Sequence, residues 1–216
     1  MSNNKERLKS FLRPVMITVV LMIVCGLLFP LLLTGLSAVI FPKQAAGSLI
    51  EVDGKAVGSK TVGQEFTEDY FMKGRPSAVH YNTYKEDENG NRVFSDGNEF
   101  SGATSGSANY SATNPALVER VEADIEEFLK KNPDINKSDI PADLMTASGS
   151  GLDPHISVKS AMIQIPALSK ASGISETELV KIVEDNTKGQ LLGIFGEETV
   201  NVLGVNLQIA EKMDII

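Results

Sequence analysis

Residues 146–157, which read TASGSGLDPHIS, contain the densest set of side chains that could carry out chemistry. Ser148 and Ser150 offer hydroxyls, Asp153 a carboxylate and His155 an imidazole, the groups of an acyl-transfer triad. A triad is recognised by its geometry rather than by adjacency in sequence, and no G-x-S-x-G elbow is present. Small residues in a tight turn that Asp153 caps explain the same stretch, and this structural interpretation is preferred.

Composition argues against several other kinds of site. The single cysteine, Cys25, excludes a metal site built on Cys ligands, and two histidines argue against a histidine-based site. The run 148–151 follows no clear strand, and the chain has no G-x-x-x-x-G-K-[ST] phosphate loop. Residues 42–216 carry 16 basic and 27 acidic side chains, a net charge of −11. This charge argues against nucleic acid or anionic lipid as a partner.

A long apolar run decides where these residues lie. Residues 15–41 contain no charged side chain, and as a helix they would reach roughly 40 Å, against roughly 30 Å for the bilayer core. Only Lys43 follows the run closely, whereas four basic residues precede it: Lys5, Arg7, Lys9 and Arg13. Because basic residues favour the inner side, we predict a cytoplasmic segment 1–13, a transmembrane helix 14–41 and an extracytoplasmic domain 42–216.

A cleavable signal peptide or a lipoprotein signal is the alternative interpretation of the run. Signal peptides hold about 7 to 15 apolar residues and end in a small-x-small site, whereas this run is longer and ends in Ile40, Phe41 and Pro42. A lipoprotein would need a small residue before Cys25, and Val24 stands there. A membrane anchor is therefore predicted.

Two features inside the predicted span bear on its packing. Pro30 removes a helix hydrogen bond, so a kink is predicted there. Small residues cluster near the outer end at Thr34, Gly35, Ser37 and Ala38, where another membrane helix could approach closely. A lone helix in lipid that happens to carry small residues fits this cluster equally well.

The first part of the domain is predicted to contain one hairpin, one helix and a long loop. Residues 47–59 hold two apolar runs about Asp53-Gly54, which predicts a β-hairpin. Residues 64–72 fit a short helix that Gly74 ends. Residues 85–113 are rich in Gly, Ser, Asn, Asp and Glu and poor in aliphatic residues, so we predict a long, partly mobile surface loop.

Helices and a final strand are predicted in the second part. Asn114-Pro115 begins an amphipathic helix up to Lys131, and residues 138–145 fit a short helical turn. Ser157 caps the next helix, which Pro166 bends or ends, and Ser175 caps the last. Residues 199–209 alternate as a strand about Gly204 that would pair with the early hairpin. The predicted fold is a single N-terminal transmembrane helix followed by an α+β extracytoplasmic domain with a small β-sheet.

Several stretches taken together carry a resemblance that covers almost the whole chain. They are the span beginning at Arg13-Pro14, residues 71–81 (FMKGRPSAVHY), residues 105–109 with Asn114-Pro115, residues 141–157 with Ala161 and Gln164, and Gly193, Gly196-Glu197 and residues 200–203. These stretches resemble the C subunit of the bacterial Kdp high-affinity potassium-transporting P-type ATPase. The chain departs from that pattern at Ala167 and Thr199, where the family commonly has basic residues.

The resemblance implies a non-catalytic subunit in a complex with a channel-like potassium-translocating subunit, an ATP-hydrolysing P-type subunit and a small membrane peptide. It implies no firmly bound cofactor, potassium as the transported ion, and ATP as a ligand of the complex whose affinity this subunit raises as a catalytic chaperone. Partner-docking or motif roles fall on Arg75, Pro76, Ser77, Asn109, Asn114, Thr146, Ser148, Gly149, Ser150, Gly151, Asp153, Pro154 and Gln164.

Two alternatives from other classes remain open at this point. The first is a membrane-anchored extracytoplasmic Ser/His/Asp hydrolase built on residues 148–157. The second is an extracytoplasmic solute sensor. The predicted topology also argues against direct contact between the SGSG run and nucleotide, because ATP is on the other side of the membrane.

Overall fold

The computed structural model describes residues 2–216, with side chains described from Lys9 onward. The chain begins with α1 (Ser2–Ile23), one π-helical turn (Val24–Leu28), α2 (Phe29–Ile40) and a short α3 (Pro42–Ala45). Lys9–Ile40 is a helical stretch of 32 residues, long and apolar enough to cross a membrane, with none of its most apolar window buried. A domain of helices and small sheets follows, so the predicted fold class is confirmed.

The π turn ends two residues before Pro30. Pro30 itself falls in the first turn of α2, where a missing backbone N–H is tolerated because that N–H has no intrahelical partner in an isolated helix. A π turn inside an α-helix is a recognised cause of bending. The span therefore departs from regular α-helix where the proline predicts that it should.

Residues 1–49 and 50–216 form separate compact units, and the second is called the C-terminal domain below. It begins within a hairpin of β1 (Leu49–Val52) and β2 (Lys55–Ser59), of which Leu49 is the last residue of the first unit. Asp53 and Gly54 both have positive φ, 51° and 74°, as a tight two-residue hairpin turn requires. The hairpin prediction is confirmed.

The core of the domain lies between a three-stranded antiparallel sheet and four helices. The strands are β5 (His155–Ser157), β6 (Thr187–Lys188) and β7 (Thr199–Asn201), in the order β5-β7-β6. The helices are α5 (Val158–Met162), α6 (Ile165–Ser172), α7 (Glu176–Asp185) and α8 (Val202–Lys212). The central strand places Val200 opposite Ile156 and Thr187. Their shared core includes Ile156, Ala161, Ile165, Leu168, Leu179, Ile182, Val183, Val200, Val205 and Ile209.

The predicted helix starts are confirmed by their caps. Asn114 begins α4 (Pro115–Lys131) and its side chain accepts from the N–H of Ala116. Ser157 and Ser175 accept from the N–H groups three residues on, at the starts of α5 and α7. The helical turn predicted for residues 138–145 is instead a pair of 3₁₀ turns, Lys137–Asp139 and Ala142–Leu144.

The strand predicted over residues 199–209 is wrong after its third residue. The side chain of Asn201 accepts from the N–H of Gly204 and caps α8. Val202, Val205 and Ile209, three and four residues apart, are all buried, which is helical spacing. The predicted pairing with the early hairpin is also wrong, because β7 lies between β5 and β6.

The helix predicted over residues 64–72 is wrong as well. The segment is irregular, since its ends are bonded to other elements rather than to their own turns. The Gln64 side chain donates to the carbonyl of Val57 (2.7 Å), and the Met72 N–H donates to Asn206 Oδ1 (2.7 Å). Tertiary hydrogen bonds override the weak local preference for helix.

Residues 85–113 are mostly irregular, as predicted, but they include a small hairpin of β3 (Lys85–Glu86) and β4 (Arg92–Val93). Aromatic side chains hold its base. Tyr84 stacks on Phe100 with 4.7 Å between ring centroids, and the Arg92 guanidinium lies 4.6 Å above the Tyr84 ring. The prediction gave too little weight to these aromatic residues in a polar stretch.

Candidate functional site

Arg75 joins the two ends of residues 146–154, called the Asp153 loop below. Its NH1 donates to Asp153 Oδ2 at 3.2 Å, and its Nε and NH2 donate to the carbonyls of Thr146 (3.3 Å) and Ala147 (3.5 Å). A guanidinium offers five donors in a fixed plane, so it can serve a carboxylate and two carbonyls together. Arg75 and Asp153 are 26% and 29% exposed, so the clamp lies near the surface.

Ser77 holds the middle of the same loop. Its hydroxyl donates to the Gly151 carbonyl at 2.7 Å and accepts from the N–H groups of Val79 and Tyr81. Gly63 donates its N–H to the next loop carbonyl, that of Leu152, at 2.9 Å. Backbone groups that would lie unpaired inside an irregular loop are thus satisfied by two neighbouring segments.

Tyr81 packs beneath this arrangement. Its hydroxyl donates to the Arg75 carbonyl at 2.7 Å, and its ring lies so close to Gly63 that a Cβ there would come within 2.4 Å. Burial, reinforced by the charge of Asp153, raises the pKa of Tyr81 to about 12. The phenol therefore stays neutral and acts as a fixed donor.

Residues 105–109, another stretch that carries the family resemblance, contact the Asp153 loop at Ser150. The N–H of Gly106 and the hydroxyl of Ser105 both donate to the Ser150 carbonyl, at 2.8 and 3.1 Å. Gly151 has φ +68°, and a Cβ on it would lie 2.7 Å from the Gly106 carbonyl oxygen. Only glycine fits there without strain, whereas the neighbouring Gly149 has open space around it.

The Gln164 side chain is hydrogen-bonded to the backbone of the segment just before Arg75. Its Oε1 accepts from the Lys73 N–H (2.9 Å), and its Nε2 donates to the carbonyls of Lys73 (3.2 Å) and Ser160 (2.9 Å). Asn206 of α8 does the same for Met72, with bonds of 2.7 and 2.9 Å. Two amide side chains thus take the place of a neighbouring strand along this segment.

Asp143 is a further polar hub that positions the loop. It accepts from the Ser157 N–H (2.7 Å) and from the hydroxyls of Ser157 and Ser160 (3.2 and 2.6 Å). Burial raises the pKa of Asp143, but these hydrogen bonds outweigh burial and leave that pKa below its ordinary value. The charged carboxylate ties the 3₁₀ turn before the loop to β5 and α5 after it.

Of the remaining predicted site residues, Thr146 and Pro154 form the two ends of the Asp153 loop, whereas Pro76, Asn109 and Asn114 lie outside that loop. Pro154 is buried, and its carbonyl accepts from the Val202 N–H at 3.0 Å. Asn109 makes a local turn with Ser107, and Asn114 is the cap of α4. Pro76 lines a neighbouring cleft, and Thr146 donates its hydroxyl to the Ala142 carbonyl. Asn109 and Asn114 thus stabilise local turns of their own outside the cluster.

The serines of the loop are engaged in its own folding. Ser148 Oγ accepts from the Gly151 N–H (2.9 Å), and Ser150 Oγ accepts from the Leu152 N–H (3.1 Å). The imidazole Nδ1 of His155 lies 3.8 Å from Asp153 Oδ1. Burial lowers the pKa of His155. Within the part of the chain that the structure describes, no serine hydroxyl is hydrogen-bonded to this imidazole, so the geometry gives the hydrolase alternative no support.

Sequence reasoning missed Gly63, Tyr81, Asp143 and Asn206 as parts of the site. Asp143 lies in a stretch that carries the family resemblance, which was the available signal. Asn206 lies inside a run interpreted as a strand, so its burial (1% exposed) could not be foreseen. Among the residues with described placement, no group of three or more His, Cys, Asp or Glu side chains is arranged to hold a metal ion.

Comparisons with known proteins agree over nearly the full length. The family model described as "KdpC: K+-transporting ATPase, c chain" matches residues 11–211. The potassium-transporting ATPase KdpC subunit of Clostridium kluyveri is 57% identical over 208 residues, which are 96% of each chain. That of Clostridioides difficile is 54% identical over 97% of this chain and 100% of its own. The Caldanaerobacter subterraneus subunit is 44% identical over 93% and 94%.

Proposed function

Because this chain belongs to the KdpC family, the C chain of K+-transporting ATPases, we propose that it is a non-catalytic accessory subunit of a high-affinity potassium pump. It is needed for assembly, and it raises the affinity of the ATP-hydrolysing subunit for ATP. The observation that carries the proposal is the match to the family over residues 11–211. Its partners are a channel-like potassium-translocating subunit, the ATP-hydrolysing P-type subunit and a small membrane peptide.

The geometry of the Asp153 loop supports a docking role. The carboxylate of Asp153 and the carbonyls of Gly151 and Ser150 are bonded to Arg75, Ser77 and Gly106, which makes the loop rigid without any partner. Its outer residues Gly149 and Ser150 remain exposed. A preorganised loop loses little conformational freedom on binding, so we infer that this rim contacts the channel-like subunit.

The proposed topology determines how ATP affinity changes. The basic residues before the span favour a cytoplasmic N-terminus and an extracytoplasmic C-terminal domain. ATP then binds on the opposite side of the membrane from the Asp153 loop. The effect on ATP affinity is a coupling free energy between two sites of the assembled complex.

Substitution of Asp153 tests the docking role. Asp153→Ala removes the partner of Arg75 and the acceptor for the His155 N–H, so the loop loses its shape. The tagged chain should then recover less of the potassium-dependent ATPase from gently solubilised membranes, or the recovered pump should have a raised KM for potassium. The control is Asp134→Ala, whose side chain is 91% exposed and lies 4.0 Å from Lys170. An Asp153→Ala pump with normal yield and normal KM values for potassium and ATP contradicts the proposal.

The topology is tested by adding protease to intact spheroplasts and to inverted vesicles. The C-terminal domain should be digested in spheroplasts and protected in inverted vesicles. The opposite pattern would remove the argument against direct contact with nucleotide.

A further inference from the structure

A cavity of about 780 Å³ lies beside the Asp153 loop, and Arg75, Ser77, Tyr81 and Gln164 of the cluster described above form part of its wall. Its walls are residues 64–77, the C-terminal half of α4 and part of α6. α4 is strongly amphipathic, yet none of its residues is fully buried. α4 contributes Phe128 of its apolar face to the cavity wall, together with the charged Asp124, Glu127 and Lys131. The cavity has the volume of an ordinary small-molecule site.

Much of the lining is apolar. Phe66 and Phe71 meet edge to face with 5.4 Å between ring centroids. Phe128 of α4 and Leu168 of α6 also line the cavity. These side chains would favour a ligand with an aromatic or aliphatic body, because its burial removes apolar surface from water.

One cation in the cavity has no carboxylate partner. Lys131 is paired with Asp69 (2.9 Å) and Glu127 (3.2 Å). The ammonium of Lys73 instead donates to the carbonyls of Phe66 and Glu68, at 2.7 and 2.8 Å. Of the described acidic side chains, none forms an ion pair with it, although the charges of Asp69, Glu127 and Glu68 act on it from a greater distance. An ammonium has three donors, so an anion entering the cavity would find the third one for a charge-assisted hydrogen bond.

An unused acceptor lies in the same wall. Asn132 is 8% exposed, and its Nδ2 donates to the Phe128 carbonyl at 2.9 Å. Its Oδ1 is buried and has no hydrogen-bond partner among the described groups. A buried acceptor without a donor is destabilising, and a ligand N–H would satisfy it once the side chains that cover the oxygen move aside.

We propose that this cavity binds a small apolar carboxylate that carries an amide N–H, with the carboxylate at Lys73, the N–H at Asn132 and the apolar body between α4 and the phenylalanines. N-acetylphenylalanine has all three features and is the probe. The site is separate from the docking rim of the Asp153 loop and does not depend on the proposed function.

Calorimetric titration of the full chain in lipid nanodiscs tests the ligand class, with empty nanodiscs as the blank. N-acetylphenylalanine should bind about tenfold more tightly than its neutral amide, because only the acid pairs with Lys73. It should also bind more tightly than 3-phenylpropionate, which lacks the N–H. The proposal would be overturned if no saturable binding is seen at ligand concentrations up to about 10 mM, since a Kd of about 1 mM already corresponds to only about 4 kcal/mol. Equal affinity for the acid and the amide would also overturn it.

Two variants assign the contacts. Lys73→Met should weaken binding of the acid about tenfold and leave the neutral amide unchanged. Lys130→Met is the matched control, because Lys130 is 70% exposed on α4 and does not line the cavity. Asn132→Leu should abolish the preference for N-acetylphenylalanine over 3-phenylpropionate. Unchanged affinities in folded variants would contradict the assignment.

The pH dependence of binding is measured on the unaltered chain, so this test does not depend on whether the variants fold. Burial, reinforced by the charge of Lys131, lowers the pKa of Lys73 to about 8. The other charged groups around the cavity are Glu65, Glu68, Asp69, Arg75, Asp124, Glu127, Lys131 and Lys170. Burial raises the pKa of Asp124. The hydrogen bond between Asp69 and Lys131 lowers the pKa of Asp69 and raises that of Lys131. Affinity for the acid should therefore fall about tenfold from pH 7 to pH 9, and a flat profile would contradict the role of Lys73.

Discussion

Two regions of the C-terminal domain bury their backbone in different ways. Residues 155–212 form strands and helices around an apolar core, in which Leu179, Val200 and Ile209 are at most 1% exposed. Residues 60–84 and the Asp153 loop have little regular structure and are held by side-chain-to-backbone hydrogen bonds. Arg75, Ser77 and Gln164 thus occur where backbone groups lack regular partners, and each satisfies specific polar atoms.

The largest expected effect lies in the apolar region. Leu179→Ala should reduce the free energy of unfolding by about 3 kcal/mol, because it leaves a cavity in the core. Val118→Ala, at a position that is 46% exposed on α4, should change it by less than about 0.5 kcal/mol. Urea unfolding in detergent, followed by circular dichroism, measures both. Similar values for the two would show that the core is not where stability resides.

A polar substitution should reduce the free energy of unfolding nearly as much if residues 60–84 depend on their hydrogen bonds. Asn206→Ala leaves the buried N–H and carbonyl of Met72 without partners, which should cost about 2 to 3 kcal/mol. Asn114→Ala removes only an exposed helix cap and should cost about 1 kcal/mol. The same urea titration compares them. A smaller loss for Asn206→Ala than for Asn114→Ala would refute the role assigned to the amide.

Two glycines of the Asp153 loop sharpen the comparison further. Gly151→Ala should destabilise the domain by about 2 kcal/mol, since φ is +68° and the new Cβ would contact the Gly106 carbonyl. Gly149→Ala, with open space around it, should change stability by less than about 0.5 kcal/mol. Equal tolerance of both substitutions would mean that the loop adjusts freely, which would contradict its rigidity.

The smallest effect is the pH dependence contributed by Asp143. Its folded pKa is lowered, so its stabilisation is present above the unfolded value of about 3.9 and is lost as pH falls through the folded pKa. Asp143→Asn should therefore flatten the acid side of the stability profile, measured by urea midpoints between about pH 5 and pH 2. Asp134→Asn serves as the matched surface control. An unaltered acid limb in Asp143→Asn would show that the serine contacts do not favour the charged carboxylate.

Local sequence signals predicted the elements whose cause is local. The hairpin about Asp53-Gly54 and the caps at Asn114, Ser157 and Ser175 are confirmed, because each depends on residues within a few positions. The predicted strand after Asn201 is wrong, because alternating valines also fit one face of a capped helix. Nothing local could show that residues 64–72 would be held by β2 and α8.

The sequence by itself determined a membrane-length apolar helix, the capped helices, and a family resemblance that the comparisons with known proteins confirm. Only the tertiary structure decided which polar groups meet. Arg75 and Asp153 are 78 positions apart, and Met72 and Asn206 are 134 apart. Such pairs have no periodic signal in sequence, because each forms only after the core of helices and strands has brought its two segments together.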